Sequence, residues 1–438
     1  MQSLERGDRL FELNPRSLLV PASSLKLVTA ALAGAAVGWD YTFETTAAIT
    51  GPVENGGLQG DLIITGTGDP TLLGRAGGDY ATSLLSALKG HGVTTIAGRV
   101  IGNDDLVDEP RPGYSWSWDD LGFPFGAVSG GLNIAENVIQ VTVSPGASQG
   151  EPAVITLPPE AGNLFVENRT ETAAAKSERT LWPEHRPGKA GLTLFGTIAI
   201  DAKPTVLMVA ALNPTLSFAR FIRARLLAAG IQVHGAAADA DDLKERLPPG
   251  TVIHVERSRP LSDIVKAMQK DSINLYADAL LRLATGPAGT RSTPAALIAA
   301  KQQLEAWDIA ADAAQIEDGS GLSRRNVIAP EALLAILQRH YDPAGTSPFV
   351  QALPIAGVDG TLGDRMKGTA AEGNAKAKTG TMTNIRALAG YVRTQDGEPL
   401  AFVIIVNNFE GKPTDVIASI DRLVVRLASF SRTRPSAN

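Results

Sequence analysis

Apolar residues at helical spacing open the chain: Leu25, Val28 and Leu32 recur among alanines, which predicts a buried helix from Ser23 to about Ala36, led in by the turn NPRS and by Pro21. From Ala48 to about Val143 the texture changes. Short Val, Ile and Thr runs cut by Gly and Pro, such as GDLIITGTGDPTLL and TTIAGRVIGND, predict strands and turns with one helix near Tyr80 to Lys89. Ser144 to Ala190 is the least regular section, rich in Pro, Gly, Glu and Thr, and reads as a small β-rich insertion or a long loop system. Strands are then predicted at Gly191 to Asp201 and Thr205 to Leu212, and a helix from Leu216 to Ala229.

Two segments, LKGHGVTTIAGRV and LLAAGIQVHGAA, share the order helix, glycine, strand, glycine. The echo is weak, and chance is favoured over duplication. Beyond RSRP the pattern is helical to about Tyr341, interrupted at DGSGLSRRN. The end reads strand, turn QDGEP, strand, then an amphipathic helix from Pro413 to Phe430, and the Asp-Gly turn signals a hairpin. At the front, ERGD reads as a turn into a strand at Arg9 to Leu13. Its upstream partner is too short for a hairpin, so the start is expected to be trimmed. A sheet covered by N- and C-terminal helices, with a large middle insertion, fits this order.

Composition sharpens the picture. A chain of 438 residues with 44% hydrophobic content can bury more than one core, so two or three domains are expected. A net charge of -6 without a long basic stretch argues against nucleic acid as a partner. No apolar run reaches the roughly 18 residues of a membrane helix, so no transmembrane segment is expected. Cys is absent, which removes disulfides, zinc-thiolate sites and cysteine nucleophiles. The five histidines lack ligand spacing, so neither a metal nor a cofactor is expected.

Chemistry enters with PASSLK, residues 21 to 26. Ser23 and Lys26 are three apart and share a helix face, so the amine can reach the hydroxyl. Ser86 and Lys89 repeat the spacing. Position separates the two pairs: Ser23 stands at a helix start, where a backbone N–H is free for an oxyanion, whereas the Ser86 N–H lies mid-helix and is spent. A lysine base must be neutral, and a second nearby cation helps to make it so. Lys378, Thr379 and Gly380, in AKTGTMTN, supply such a cation at a strand that Gly380 leaves open to a substrate backbone. Ser272 and Asn274, in KDSINLY, precede a helix, and their bland reading is helix capping.

The ordered set of Ser-x-x-Lys, Ser-x-Asn and Lys-Thr-Gly is similar to that of the penicillin-interacting serine enzymes. Over half of the chain separates Lys26 from Ser272, so a large insertion stands between the first two motifs. With LVPASSLKLVTAALA, GTGDPTLL, WSWDDLGFPFGAVSGGLNIAENV, DGSGLSRRN and LPIAGVDGTLGDRM, the chain resembles the D-alanyl-D-alanine carboxypeptidase/endopeptidase family of class C low-molecular-mass penicillin-binding proteins over nearly its whole length.

The resemblance implies an α+β fold, a serine β-lactamase/DD-peptidase (transpeptidase-like) domain of helices around an antiparallel sheet, with a large β-rich insertion forming one or two extra domains. The expected boundaries are 1-47 with 256-438 for the peptidase domain, 48-143 with 191-255 for an inserted α/β domain, and 144-190 for a smaller β-rich insertion. It implies a serine DD-carboxypeptidase, with endopeptidase action also open, that acts on peptidoglycan stem peptides and is inhibited by β-lactam antibiotics.

Ser23 would be the nucleophile and Lys26 the general base, while Ser272 would relay a proton. Asn274 would hold the substrate amide, and the N–H groups of Ser23 and Thr381 would form the oxyanion hole. Lys378 and Thr379, with Gly380, would receive the terminal carboxylate. By position in the matching stretches, Asp120, Phe125 and Arg324 are candidates for the stem-peptide side chain, and a turn cap or a surface charge is the bland alternative. The family is exported, so a periplasmic or extracytoplasmic location is implied, although no signal peptide is visible. A β-lactamase or esterase using the same triad, and an inactive wall-binding scaffold, are the competing readings.

Overall fold

The turn around Asp396 and Gly397 joins Ile385–Arg393 to Pro399–Asn407 as an antiparallel hairpin, the pairing that the sequence predicts. A computed structural model describes residues 1–74, 78–158, 161, 164–185, 191–211, 213–289 and 291–432. The chain divides into two compact units, one made of 1–41, 113–115 and 260–438, the other of 42–112 and 116–259.

In the first unit the hairpin is the middle of a four-stranded antiparallel sheet, with Lys376–Met382 on one edge and Gln2–Ser3 on the other. The amphipathic helix Pro413–Ala428 turns Ile420, Val424 and Ala428 onto Leu388 and Val392 of the sheet. The helix Lys26–Val37 is different in kind. Leu27, Val28, Ala30, Ala31 and Leu32 are all buried, so its first two turns are enclosed, with the helices Leu261–Asp271, Asn274–Leu281 and Pro330–Arg339 packed against it, while Ala35 in the last turn is exposed. The strand expected at Arg9 to Leu13 is absent. Ser3 N–H donates to Asp8 O and closes the turn, leaving only a lone bridge from Gln2 to Arg9, because the two-residue strand ahead of the turn is too short to pair more.

The second unit has two separate cores. One lies between the helices Tyr80–Gly90 and Pro214–Ala228 and a mixed sheet whose order is Ala237–Asp239, Val100–Asn103, Leu62–Gly66, Glu44–Ile49, Thr251–Arg257. The weak echo proves to be architectural. Thr95–Ile96 lies parallel to Gln232–Val233, and Val100–Asn103 parallel to Ala237–Asp239, each pair continuing from its own helix in the same register. The favoured reading of chance is therefore replaced by two like units packed side by side.

The other core, with Val141, Val143, Leu192, Leu194 and Ile198, lies under two three-stranded sheets. Strands Val154–Thr156, Val166–Ala173 and Trp182–Glu184 form in the irregular section. They share those sheets with Val138–Ser144 and Leu192–Ala199, strands that flank the section, since a β-edge inside it needs partners from outside. The predicted strand from Thr205 ends at Ala210, and Leu212 lies outside the described residues.

Candidate active site

Ser23 lies in a 3-10 turn, Ala22–Leu25, that runs directly into the helix beginning at Lys26. The N–H groups of such a first turn lack intrahelical acceptors. Two glycines let other segments close on the turn. At Gly321, with φ +84°, an added Cβ would stand 2.0 Å from Ala22 O, and at Gly380 one would stand 2.4 Å from Pro21 O. The turn is thus seated between the DGSG loop and the strand Lys376–Met382.

Lys26 is completely buried. Its Nζ lies 2.9 Å from Ser23 Oγ, 2.7 Å from Asn274 Oδ1 and 2.8 Å from the Ser320 carbonyl oxygen. Two of these partners only accept hydrogen bonds, while the third is a hydroxyl that can also donate. A neutral amine has two N–H groups and one lone pair, which matches that set. Burial pushes Lys26 down to about 7 against the opposing pull of Asp278 and Asp318. Burial, with the Lys26 charge added, holds Lys378 well below the ordinary lysine range.

The second lysine organises the other motif. Lys378 Nζ donates to Ser272 Oγ at 2.9 Å and to its neighbour Thr379 O at 3.1 Å. Ser272 ends the helix Leu261–Asp271 in the left-handed conformation, φ 59°, and Ile273 then starts the helix Asn274–Leu281. The tight reversal sends Asn274 to Lys26 and Ser272 to Lys378. Capping, the bland reading of this serine, is not what its hydroxyl does: the N-cap residue is Ile273, with no side-chain cap bond. Thr379 Oγ1 is 2.9 Å from Thr361 Oγ1. Thr381, two residues on, is exposed near the end of the strand.

Ser86 fares otherwise. Its hydroxyl donates to Thr82 O at 3.0 Å on an exposed face of the helix Tyr80–Gly90, and Lys89 is exposed as well. This pair lies in the second unit, apart from the other two motifs.

Several supporting groups carried no motif. Asp278 Oδ1 accepts the Gly319 N–H at 2.9 Å, which fixes the peptide next to the Ser320 carbonyl. Asp318 takes N–H bonds from Ser320, Gly321 and Ser323 and one from Asn326 Nδ2. Thr29 Oγ1 donates to Gly319 O, and Gln269 Nε2 to Lys26 O. The DGSGLSRRN stretch is a loop knotted on its own aspartate, and its shape presents one carbonyl to Lys26. The Asp-Gly-Ser-Gly run is the signal that marks it in the sequence.

The three side-chain recognition candidates divide between the units. Asp120 ends the short turn Trp118–Asp120 and Phe125 lies half-exposed in Pro124–Gly126, its ring stacked on Phe123 at 5.4 Å; both belong to the second unit. Arg324 belongs to the first, exposed on the DGSGLSRRN loop, and its Nη2 donates to Thr383 O at 3.4 Å.

Known proteins share this arrangement of sequence. The model of the D-Ala-D-Ala carboxypeptidase 3 (S13) family matches residues 1–428. A D-alanyl-D-alanine carboxypeptidase of Actinomadura sp. (strain R39) is 32% identical, the alignment covering 97% of this chain and 80% of the relative. The crystal structure of penicillin binding protein 4 (dacB) from Haemophilus influenzae superposes with a TM-score of 0.84 at 27% identity, covering 98% of this chain and 95% of that one. The same protein complexed with a novel β-lactam gives 0.79, with equal identity and coverage.

Proposed function

The chain belongs to the D-Ala-D-Ala carboxypeptidase 3 (S13) family, and from that premise we propose which of its residues carry the reaction. It is a serine-type D-Ala-D-Ala carboxypeptidase of the acyl-enzyme class. The expected α+β peptidase fold with added domains is the fold that it has.

Ser23 Oγ attacks the carbonyl of the penultimate D-alanine, and Lys26, neutral at working pH, takes the hydroxyl proton as the C–O bond forms. The oxyanion is met by the N–H groups of Ser23 and Thr381. Collapse breaks the C–N bond, and the proton passes through Ser272 to the departing D-alanine amine. Water then attacks the ester on Ser23 and frees the shortened peptide. Lys378 and Thr379 receive the terminal carboxylate, and Asn274 orients both Lys26 and the substrate amide. One observation carries this reading: a fully buried lysine amine that meets two acceptors and one hydroxyl, that of Ser23.

The substrate is the D-alanyl-D-alanine end of a peptidoglycan stem peptide, so the place of action is outside the cytoplasm, where that polymer lies. No helix among the described residues is long and apolar enough to cross a membrane. A β-lactam, whose strained ring amide takes the place of that peptide bond, acylates Ser23 and leaves it slowly. Asp120 and Phe125 in the second unit, and separately Arg324 in the first, are our candidates for contacts to the stem peptide, the aspartate suited to an ammonium and the arginine to a carboxylate.

D-Alanine release from a synthetic pentapeptide tests the scheme. Ser23→Ala abolishes release and Ser86→Ala retains it. Unchanged release by Ser23→Ala, or rapid turnover of penicillin in place of a lasting adduct, contradicts it.

A further inference from the structure

Away from this site, carboxylates converge at one end of the second unit. Val100–Asn103 and Ala237–Asp239 are neighbouring parallel strands, and each leads at its C-terminal end into an acidic stretch. Asp104 follows the first strand, Asp239 closes the second and Asp241 lies just beyond. Because Gly102 pairs with Asp239, Asp104 and Asp241 hold corresponding places in the two like units. One oxygen from each of Asp104, Asp239 and Asp241 lies within 4.8 Å of the others. Glu109 adds a fourth carboxyl, hydrogen-bonded to that of Asp241.

Asp104 has an unmet requirement. Its side chain is 3% exposed; Oδ2 accepts from Thr215 Oγ1, but Oδ1 is buried with no hydrogen-bond partner among the described residues. Asp239 is nearly as buried, with Oδ2 accepting from Asn213 Nδ2 at 2.8 Å and Oδ1 accepting from the Asp241 N–H. Among the described residues no arginine or lysine forms an ion pair with Asp104, Asp239 or Asp241. Buried carboxylates normally have a paired charge or a metal.

We propose that Asp104, Asp239 and Asp241 bind one calcium ion that clips the second unit together. The donors are all oxygens, which selects a hard cation over zinc or copper. Ca–O distances of about 2.3–2.6 Å allow ligands across the ion to stand roughly 4.6–5.2 Å apart, whereas Mg–O distances near 2.0–2.1 Å allow only about 4.2 Å. Ligand atoms that all lie within 4.8 Å of one another fit around one ion of that size, and calcium, unlike magnesium, accepts an irregular set of protein carboxylates. The position suits a structural role, because it joins the ends of two parallel strands to the start of the helix Pro214–Ala228, through Thr215 and Asn213.

The full chain, freed of metal by dialysis against a chelator, is titrated with calcium chloride in a calorimeter and melted with and without the ion. The expected result is one site per chain and a Tm higher by a few degrees at calcium about 100-fold above Kd. Asp104→Asn removes both signals. Asp241→Ala changes an exposed residue, folds without a packing defect and weakens binding by at least about tenfold, so it decides the matter should Asp104→Asn fail to fold. Absence of heat and of a Tm shift at millimolar calcium, or undiminished binding by Asp241→Ala, overturns the site. Preference for magnesium chloride overturns the choice of ion. Neither readout involves D-alanine release, so this result stands or falls apart from the catalytic assignments.

Discussion

Lys26 Nζ stands 2.9 Å from Ser23 Oγ while the Asn274 amide oxygen and the Ser320 carbonyl occupy its other directions. An ammonium would present a proton to every partner and leave the serine without a base. With Lys26 pushed down to about 7 by burial, the neutral form that the reaction needs fills in as pH rises through neutrality. The acid limb of kcat/KM for D-alanine release is therefore expected near pH 7, falling about tenfold per unit below it. Lys26→Arg stays charged throughout and loses at least about 1,000-fold at every pH. A profile flat from pH 5 to 8 would exclude Lys26 as the base.

Ser272→Ala removes the hydroxyl that Lys378 Nζ meets at 2.9 Å, without changing the backbone turn that presents it. The expected loss in kcat is on the order of 10²–10⁴-fold, the usual worth of a proton-transfer group. Steady-state kinetics beside a thermal melt check it. Near-normal kcat in a folded variant would remove Ser272 from the proton path.

Gly321→Ala tests how the nucleophile is seated. The new Cβ would fall 2.0 Å from Ala22 O at a φ of +84°, so the DGSG loop or the Ala22–Leu25 turn must move. Stability is expected to fall by more than about 1 kcal/mol, and acylation by fluorescent penicillin to slow at least about tenfold. Gly345→Ala, also at positive φ but with nothing near its added carbon, is the control and should leave acylation unchanged.

His340 carries a stability prediction. Burial, with Arg339 beside it, pushes the ring down to about 4, and the ring lies against Phe349 at 4.9 Å and Trp307 at 5.4 Å. An unfolded chain binds this proton near pH 6.5, so the contribution is complete above that pH and is lost as pH falls toward 4. Up to about 2–3 kcal/mol is at stake. His340→Phe should flatten the fall in urea-unfolding stability between pH 6.5 and 4; an unchanged slope would assign the fall to other groups.

The motifs and the hairpin could be read from the chain because each is local: Ser-x-x-Lys at helical spacing, Lys-Thr-Gly at a strand, Asp-Gly between two apolar runs. Helix position, argued from the backbone N–H, was enough to prefer Ser23 to Ser86; that the hydroxyl of Ser86 donates to Thr82 O is a separate finding of the structure. Convergence was another matter. Nothing near Lys26 in the sequence announces that the Ser320 carbonyl fills its third direction, since that contact depends on how Asp278 and Asp318 hold the loop. The strand expected at Arg9 to Leu13 does not form, because the upstream partner that the sequence already shows to be short pairs through only two residues with the sheet and offers Arg9 a lone bridge. The carboxylate cluster is hidden in the sequence because Asp104 and Asp241 meet only through strand pairing, and no local ligand spacing joins them.

The most direct test of the central claim is peptide mapping by mass spectrometry after the purified chain is incubated with benzylpenicillin. The account predicts one added penicilloyl mass, on the peptide that contains Ser23 and on no other. An adduct on Ser86 or Ser272, or an intact antibiotic beside an unmodified chain, would contradict it.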